Sequence, residues 1–259
     1  MIRLEKVTKT FSKGTIDEKT AINGLSLHVR KGDFITVIGS NGAGKTTFLN
    51  LISGTFRPDD GVIFIDGSDV THLPEHKRAR YLGRIFQDPL MGTASSMTIE
   101  ENLAMADLRG SPRGLKWGVT KALREHYRHT LSILELGLET RLKDTVSLLS
   151  GGQRQSMTLL MVTLSLPKLL LLDEHTAALD PKTAQKVMDL TKKIVEKNNL
   201  TTIMVTHNMQ QAIRYGNRMI MLHEGGIQFD IEGEEKSALT VEGVVRRFGA
   251  ELKDEALLV

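Results

Sequence analysis

Three short segments hold residues whose types and spacing could do chemistry. Gly39-Ser40-Asn41-Gly42-Ala43-Gly44-Lys45-Thr46 fits the phosphate-loop pattern GxxxxGK[ST], and a further threonine, Thr47, follows it. Glycines let backbone N–H groups curl around phosphate oxygens without a Cβ in the way, and a helix opening after the loop adds the positive end of its dipole. In this pattern Lys45 reaches the β- and γ-phosphates and the Thr46 hydroxyl can ligate Mg²⁺. Leu169–Leu172 followed by Asp173-Glu174 is an apolar strand that delivers an acid to its C-terminal end, where ligands gather in open parallel sheets. Asp173 would hold Mg²⁺ through water, and Glu174 would orient or deprotonate an attacking water. The third segment is Leu149-Ser150-Gly151-Gly152-Gln153, a glycine turn running into a helical stretch near Gln153. It offers a second anion cradle of amides and the Ser150 hydroxyl. One nucleotide does not need two such cradles from one chain.

The elements that must position these residues follow from local pattern. Residues 34–38 (FITVI) read as a buried strand, and 45–53 as a helix with Phe48, Leu49 and Ile52 on one face and Gly54 as its C-cap. Residues 62–65 followed by Asp66-Gly67 read as a strand entering a tight hairpin turn. Further strands are expected at 83–86, 168–172, 201–206 and 218–223. Asp180-Pro181 opens a helix expected to reach about Lys197, where Asn198-Asn199 breaks it. Strands alternating with helices imply parallel βαβ units. Residues 88–165 differ: they have few β-branched runs, a capping box at Thr98–Glu101, and breaks at Gly92, Gly110, Pro112, Gly114 and Gly118.

The expected architecture is therefore a single α/β domain. Its sheet-based core spans approximately 1–87 and 166–234, with a helical insertion over 88–165 and a C-terminal helical extension over 235–259 in which Thr240 is the candidate N-cap.

Composition closes off other readings. There are 34 Lys+Arg against 31 Asp+Glu, and no cysteine, which excludes disulfides, thiolate metal sites and a cysteine nucleophile. The apolar runs, such as Leu169–Leu172, are far short of the roughly 18 residues of a membrane span. Arg3, Glu5 and Lys6 stand where a signal peptide needs apolar residues. No long basic run supports nucleic-acid binding.

Taken together, the segments 39–47, 149–153, 169–180 (LLLLDEHTAALD) and Thr206-His207 resemble the ATPase subunits of ATP-binding cassette (ABC) transporters, in order and at compatible spacing over essentially the whole chain. The resemblance implies a P-loop NTPase (RecA-like) core with an antiparallel β edge and an inserted helical subdomain, and ATP and Mg²⁺ as ligands. It also implies a head-to-tail dimer in which Ser150, Gly151, Gly152 and Gln153 of one copy close over the γ-phosphate held by the other. By the same resemblance Phe11 stacks on adenine, where Tyr is the commoner residue. Gln87 approaches Mg²⁺ and the attacking water, Asp180 reaches across the dimer, and His207 hydrogen-bonds the γ-phosphate.

His175 departs from the usual Asp-Glu-Pro; a local packing role is expected, with a hydrogen bond near the nucleotide as the alternative. The other six histidines and Trp117 lie in no motif.

The partners implied are a second copy, permease subunits docking on 88–120 at the cytoplasmic face of the membrane, and a substrate-binding lipoprotein. The wider motif context is similar to a bacterial import subgroup for amino-acid-like substrates such as tryptophan or tyrosine. Two rivals are a soluble family member, such as an iron–sulfur assembly ATPase, and an unrelated small-molecule kinase. The Leu149–Gln153 segment argues against the kinase, which has no use for a cradle acting in trans.

Overall fold

Continuous apolar runs form strands covered on both faces, and the computed structural model, which describes residues 1–109 and 118–248, places them in that way. In chain order the elements begin with β1 (Ile2–Phe11), β2 (Lys19–Val29), β3 (Phe34–Ile38), α1 (Lys45–Ser53), β4 (Asp60–Ile65), β5 (Ser68–Asp69), α2 (Glu75–Arg78) and β6 (Leu82–Ile85). Then come α3 (Ile99–Asp107), α4 (Lys121–Ser132), α5 (Gly151–Leu164), β7 (Leu169–Asp173) and α6 (Pro181–Asn198). The last are β8 (Thr201–Val205), α7 (Met209–Arg214), β9 (Arg218–His223), β10 (Gly226–Glu232), α8 (Gly233–Ser237) and α9 (Val241–Phe248). The chain divides into two compact units. The first holds Met1–Leu82, Lys168–Asp173 and the chain from Leu200; the second holds Gly83–Pro167 and Glu174–Asn199. The span 166–234 expected to lie in the core is thus divided, with α6 in the second unit. Gly110, Pro112, Gly114, Trp117 and residues 249–259 lie outside the described residues.

The first unit carries an antiparallel sheet ordered β2-β1-β4-β5. Its other sheet is ordered β10-β9-β3-β8-β7-β6, whose last strand begins at the end of this unit. β3 runs parallel to β8 and β9, and β7 runs parallel to β8. Ile2, Ile22, Ile35, Val37, Phe48, Leu49, Ile52, Leu171, Ile203 and Val205 share one buried core, so α1 is clamped through the face that its spacing foretells. Gly54 ends α1 in the left-handed region and donates to Asn50 O. Asp66 and Gly67 have φ of 53° and 77°, the positive pair that a type I′ hairpin turn requires.

The second unit is built from α3, α4, α5 and α6. Ile99, Leu103, Tyr127, Leu131, Val146, Met157 and Leu160 make its core. Each of these helices opens on a side-chain cap: Thr98 with its reciprocal Glu101, Thr120, Ser150 with its reciprocal Gln153, and Asp180. Two expectations are corrected here. The helix after the second glycine turn begins at Gly151 rather than near Gln153, because Ser150 is its N-cap. The strand expected at 168–172 is shifted to Leu169–Asp173, which brings Asp173 into the ladder opposite Val205. At the C-terminal end Thr240 Oγ1 accepts from Gly243 N at 3.0 Å, which makes it the cap of α9.

Candidate functional site

The phosphate loop connects β3 to α1, and its geometry depends on glycine at two positions. Gly39 and Gly44 have φ of 153° and 100°, and a Cβ there would collide with the carbonyl oxygens of Leu222 and Ala21 respectively. Unlike the helices of the second unit, α1 opens on a glycine without a side-chain cap. Lys45 Nζ donates to Gly39 O at 2.7 Å and Ser40 O at 3.1 Å, which folds its ammonium back over the loop. Asn41, Gly42 and Thr46 are exposed, Ser40, Lys45 and Thr47 half-buried, and Ala43 buried.

The other end of α1 holds a cation that sequence reasoning missed. Arg78 is fully buried, and its Nη1 donates to Leu51 O at 2.6 Å and Ile52 O at 2.9 Å. Its Nε and Nη2 donate to Leu73 O and Thr71 O. Burial pulls its pKa down to about 10, so it is still charged at neutral pH. The helix that follows the phosphate loop therefore has a guanidinium on the carbonyls at its negative end.

Strand register levels the next residues of the first unit. Val37 pairs with Val205, and Val205 pairs with Asp173, so β3, β8 and β7 finish together. The loop from Gly39, the Thr206-His207 step and Asp173 consequently emerge at one sheet edge, the position where open parallel sheets bind ligands. Thr206 Oγ1 accepts from Asn208 N, and Asn208 caps α7, which fixes the backbone on both sides of His207. Phe11 ends β1, lies edge-on to Phe56 with ring centroids 5.3 Å apart, and pairs across the ladder with Lys19. No cluster of three or more His, Asp or Glu side chains that could hold a metal occurs among the described residues. Within the first unit, the oxygen donors of Thr46 and Asp173 are of the kind that suits a hard cation whose remaining ligands are phosphate and water.

Gln87, Glu174, the Ser150–Gln153 segment and Asp180 belong to the second unit. Glu174 has φ 45°, a left-handed conformation uncommon for a residue with a side chain, and Ala177 N donates to its carbonyl at 2.9 Å. Such strain persists only where surrounding structure imposes it. Gln87 is exposed just after Phe86, whose carbonyl accepts from the Gln155 amide nitrogen at 3.1 Å; Gln155, on α5, is fully buried. Ser150 Oγ accepts from Gln153 N at 3.2 Å, which leaves the hydroxyl its own proton to donate. Both glycines of the segment also have a packing reason: a Cβ on Gly152 would collide with the Thr183 methyl, and one on Gly151 would lie 3.2 Å from Leu179 Cδ2. Asp180 caps α6 by accepting from Thr183 N at 3.1 Å, and its hydrogen bonds with Thr183 hold its carboxyl below the usual range.

His175 is buried, with Nε2 at 3.2 Å from Thr191 Oγ1. Thr191 donates its own proton to Val187 O, so the ring nitrogen is the donor in that pair. Burial pushes the imidazole pKa down to about 4. The neutral form is thus favoured on folding. The associated stability is whole above pH 6.5 and is lost as pH falls from there toward 4, with a full value on the order of 3 kcal/mol. Urea unfolding at pH 7 and pH 4.5 should show a steeper loss for the native chain than for His175→Gln; parallel losses would refute the assignment.

The sequence matches the ABC transporter family over residues 22–177. It is 45% identical over 251 residues to a tyrosine transport ATP-binding protein of Clostridioides difficile (strain R20291), covering 96% of this chain and 98% of that one. It is 35% identical over 227 residues to a glycine betaine/carnitine/choline transport ATP-binding protein of Bacillus subtilis (strain 168), of which it spans 56%. Among solved structures, a dimeric post-hydrolysis state of an ATP-binding cassette bound to ADP and Pi superposes with TM-score 0.76 at 30% identity, covering 90% of this chain and 98% of that one. With the phosphate loop, the paired acids and the second glycine cradle all in place, the chain belongs to the ABC transporter family as one of its ATP-hydrolysing cassettes.

Proposed function

We propose that this protein is the ATPase subunit of a bacterial importer of amino-acid-like substrates, with tyrosine or a near relative as the cargo. The observation that carries the substrate class is the 45% identity over almost the full length of both chains with a tyrosine transport ATP-binding protein. The relatives reported above are transport proteins, and nothing observed favours iron–sulfur assembly.

In this reading the loop amides of 39–47 and Lys45 bind the phosphates of ATP, and Phe11 stacks on the adenine. Thr46 and Asp173 would hold Mg²⁺, with Gln87 joining them, and the ion would supply charge neutralisation for the phosphates. Glu174 accepts a proton from the water that attacks the γ-phosphorus. His207 donates to a γ-phosphate oxygen, and the bond broken is the one to the β-bridging oxygen, which leaves ADP and phosphate. ABC cassettes work as dimers with transmembrane permeases. Here Ser150, Gly151, Gly152 and Gln153 would come from a second copy, whose Asp180 would also cross the interface. Leu90, Met91, Met105 and Leu108 are exposed and apolar within 88–120, as a permease-docking surface needs; part of that span lies outside the described residues. No described helix is long and apolar enough to cross a membrane, so the permease would hold the subunit at the cytoplasmic face. A substrate-binding lipoprotein would deliver the cargo.

The test is uptake of labelled tyrosine by cells lacking the gene. Uptake should fall to background, return with the native gene and stay absent with the Glu174→Gln form. Unchanged uptake of tyrosine and of tryptophan would overturn the substrate reading.

A further inference from the structure

The start of β2 forms a wall of the phosphate loop: a Cβ on Gly44 would strike Ala21 O and come within 2.9 Å of Ile22 Cδ1. Lys19 opens that strand. A Cβ built on Gly42 would lie 3.4 Å from Lys19 Nζ, so this ammonium stands directly against the exposed side of the loop. Lys19 takes part in none of the ion pairs among the described residues. The neighbouring Glu18 carboxylate is turned away onto Gly14 N at 2.6 Å. An exposed lysine in no ion pair, beside a glycine-rich loop of the phosphate-binding pattern, is suited to an anion.

We infer that Lys19 is a phosphate-binding residue, a second cation that reaches the loop from β2 while Lys45 reaches it from within. The inference rests on the nucleotide reading above. Lys19 and Phe11 are direct cross-strand partners, so their side chains leave the same face of the sheet. The lysine therefore spans from the side where adenine would stack to the loop that would hold the phosphates. Its ammonium meets oxygens of the phosphates nearest the ribose, which ADP and ATP share. The ligand class is a nucleoside di- or triphosphate, and a free nucleoside gains nothing from this residue.

Titration calorimetry of the full-length native chain, Lys19→Met, Lys19→Arg and Lys45→Ala with ATP, ADP and adenosine tests this. Lys19→Met should weaken ATP and ADP to a similar extent, by about tenfold, the size of one charge-assisted hydrogen bond. Adenosine binding should not move, and the slope of log Kd against log salt should flatten, a readout that a merely structural role would leave alone. Lys19→Arg should recover most of the affinity. Unchanged ATP and ADP affinities in Lys19→Met, with binding abolished in Lys45→Ala, would overturn the role of Lys19 and leave the nucleotide reading standing. Absence of ATP binding by the native chain would overturn both.

Discussion

Replacing Glu174 with Gln should cut steady-state ATP hydrolysis by about a hundredfold or more, the usual contribution of a positioned general base, with ATP affinity nearly unchanged. The amide keeps the size and most of the hydrogen-bonding geometry of the carboxylate but cannot take a proton from water. The backbone around it gives the substitution little room to relax. Glu174 is held at φ 45° directly after Asp173, the last residue of β7, and its carbonyl is engaged by Ala177 N. Asp173 stays in the ladder opposite Val205, so the carboxylate proposed to hold the metal should be undisturbed. Loss of ATP affinity together with turnover would mean that Glu174 supports the fold of the site; turnover at the native rate would remove it from the chemistry.

Arg78→Met should produce the largest loss of stability among single substitutions outside the apolar core, on the order of 3–5 kcal/mol. Methionine nearly fills the volume and satisfies none of the four carbonyls. Leu51 O, Ile52 O, Thr71 O and Leu73 O would all lose their donor, two of them at the end of α1. Each buried carbonyl left without a partner costs roughly 1–3 kcal/mol before relaxation. Lysine should rescue only part, since one ammonium cannot copy the planar fork that reaches all four. Urea unfolding measures this directly, and a loss below about 1 kcal/mol would contradict the arrangement. Because α1 carries the phosphate loop at its other end, nucleotide affinity should fall with stability.

What could be read from residue order divides along physical lines. Capping signals are local, and they appear in the structure at their expected positions: Gly54 at the end of α1, Thr98 and Glu101 opening α3, Asp180 capping α6. The strands at 34–38, 169–173 and 201–205 are legible because burial on both faces makes them uniformly apolar. Pattern does not delimit β1 and β2, since register shifts after Leu4 and Val7 and a positive φ at Lys6 interrupt the alternation on which strand reading depends. Arg78 sits in His76-Lys77-Arg78, which reads as a solvated charged turn; only the tertiary placement of the carbonyls of Leu51 and Ile52 makes it a core residue. The second reason for Gly152, its approach to Thr183, lies 31 positions away and leaves no local trace. The backbone of Glu174 is likewise set by what surrounds it.

The claim on which the rest depends is that the Ser150 cradle of one copy closes on ATP bound by another, and the absence of cysteine allows a direct test. In a Glu174→Gln, Ser150→Cys chain the introduced thiol is the only one, so its rate of maleimide labelling reports exposure at that one position. Ser150 is exposed in the single chain. Saturating ATP and Mg²⁺ should slow labelling at least ~10-fold, with a steeper effect at higher protein concentration, as burial in a two-copy assembly requires. Equal labelling with and without nucleotide at every concentration would contradict the account.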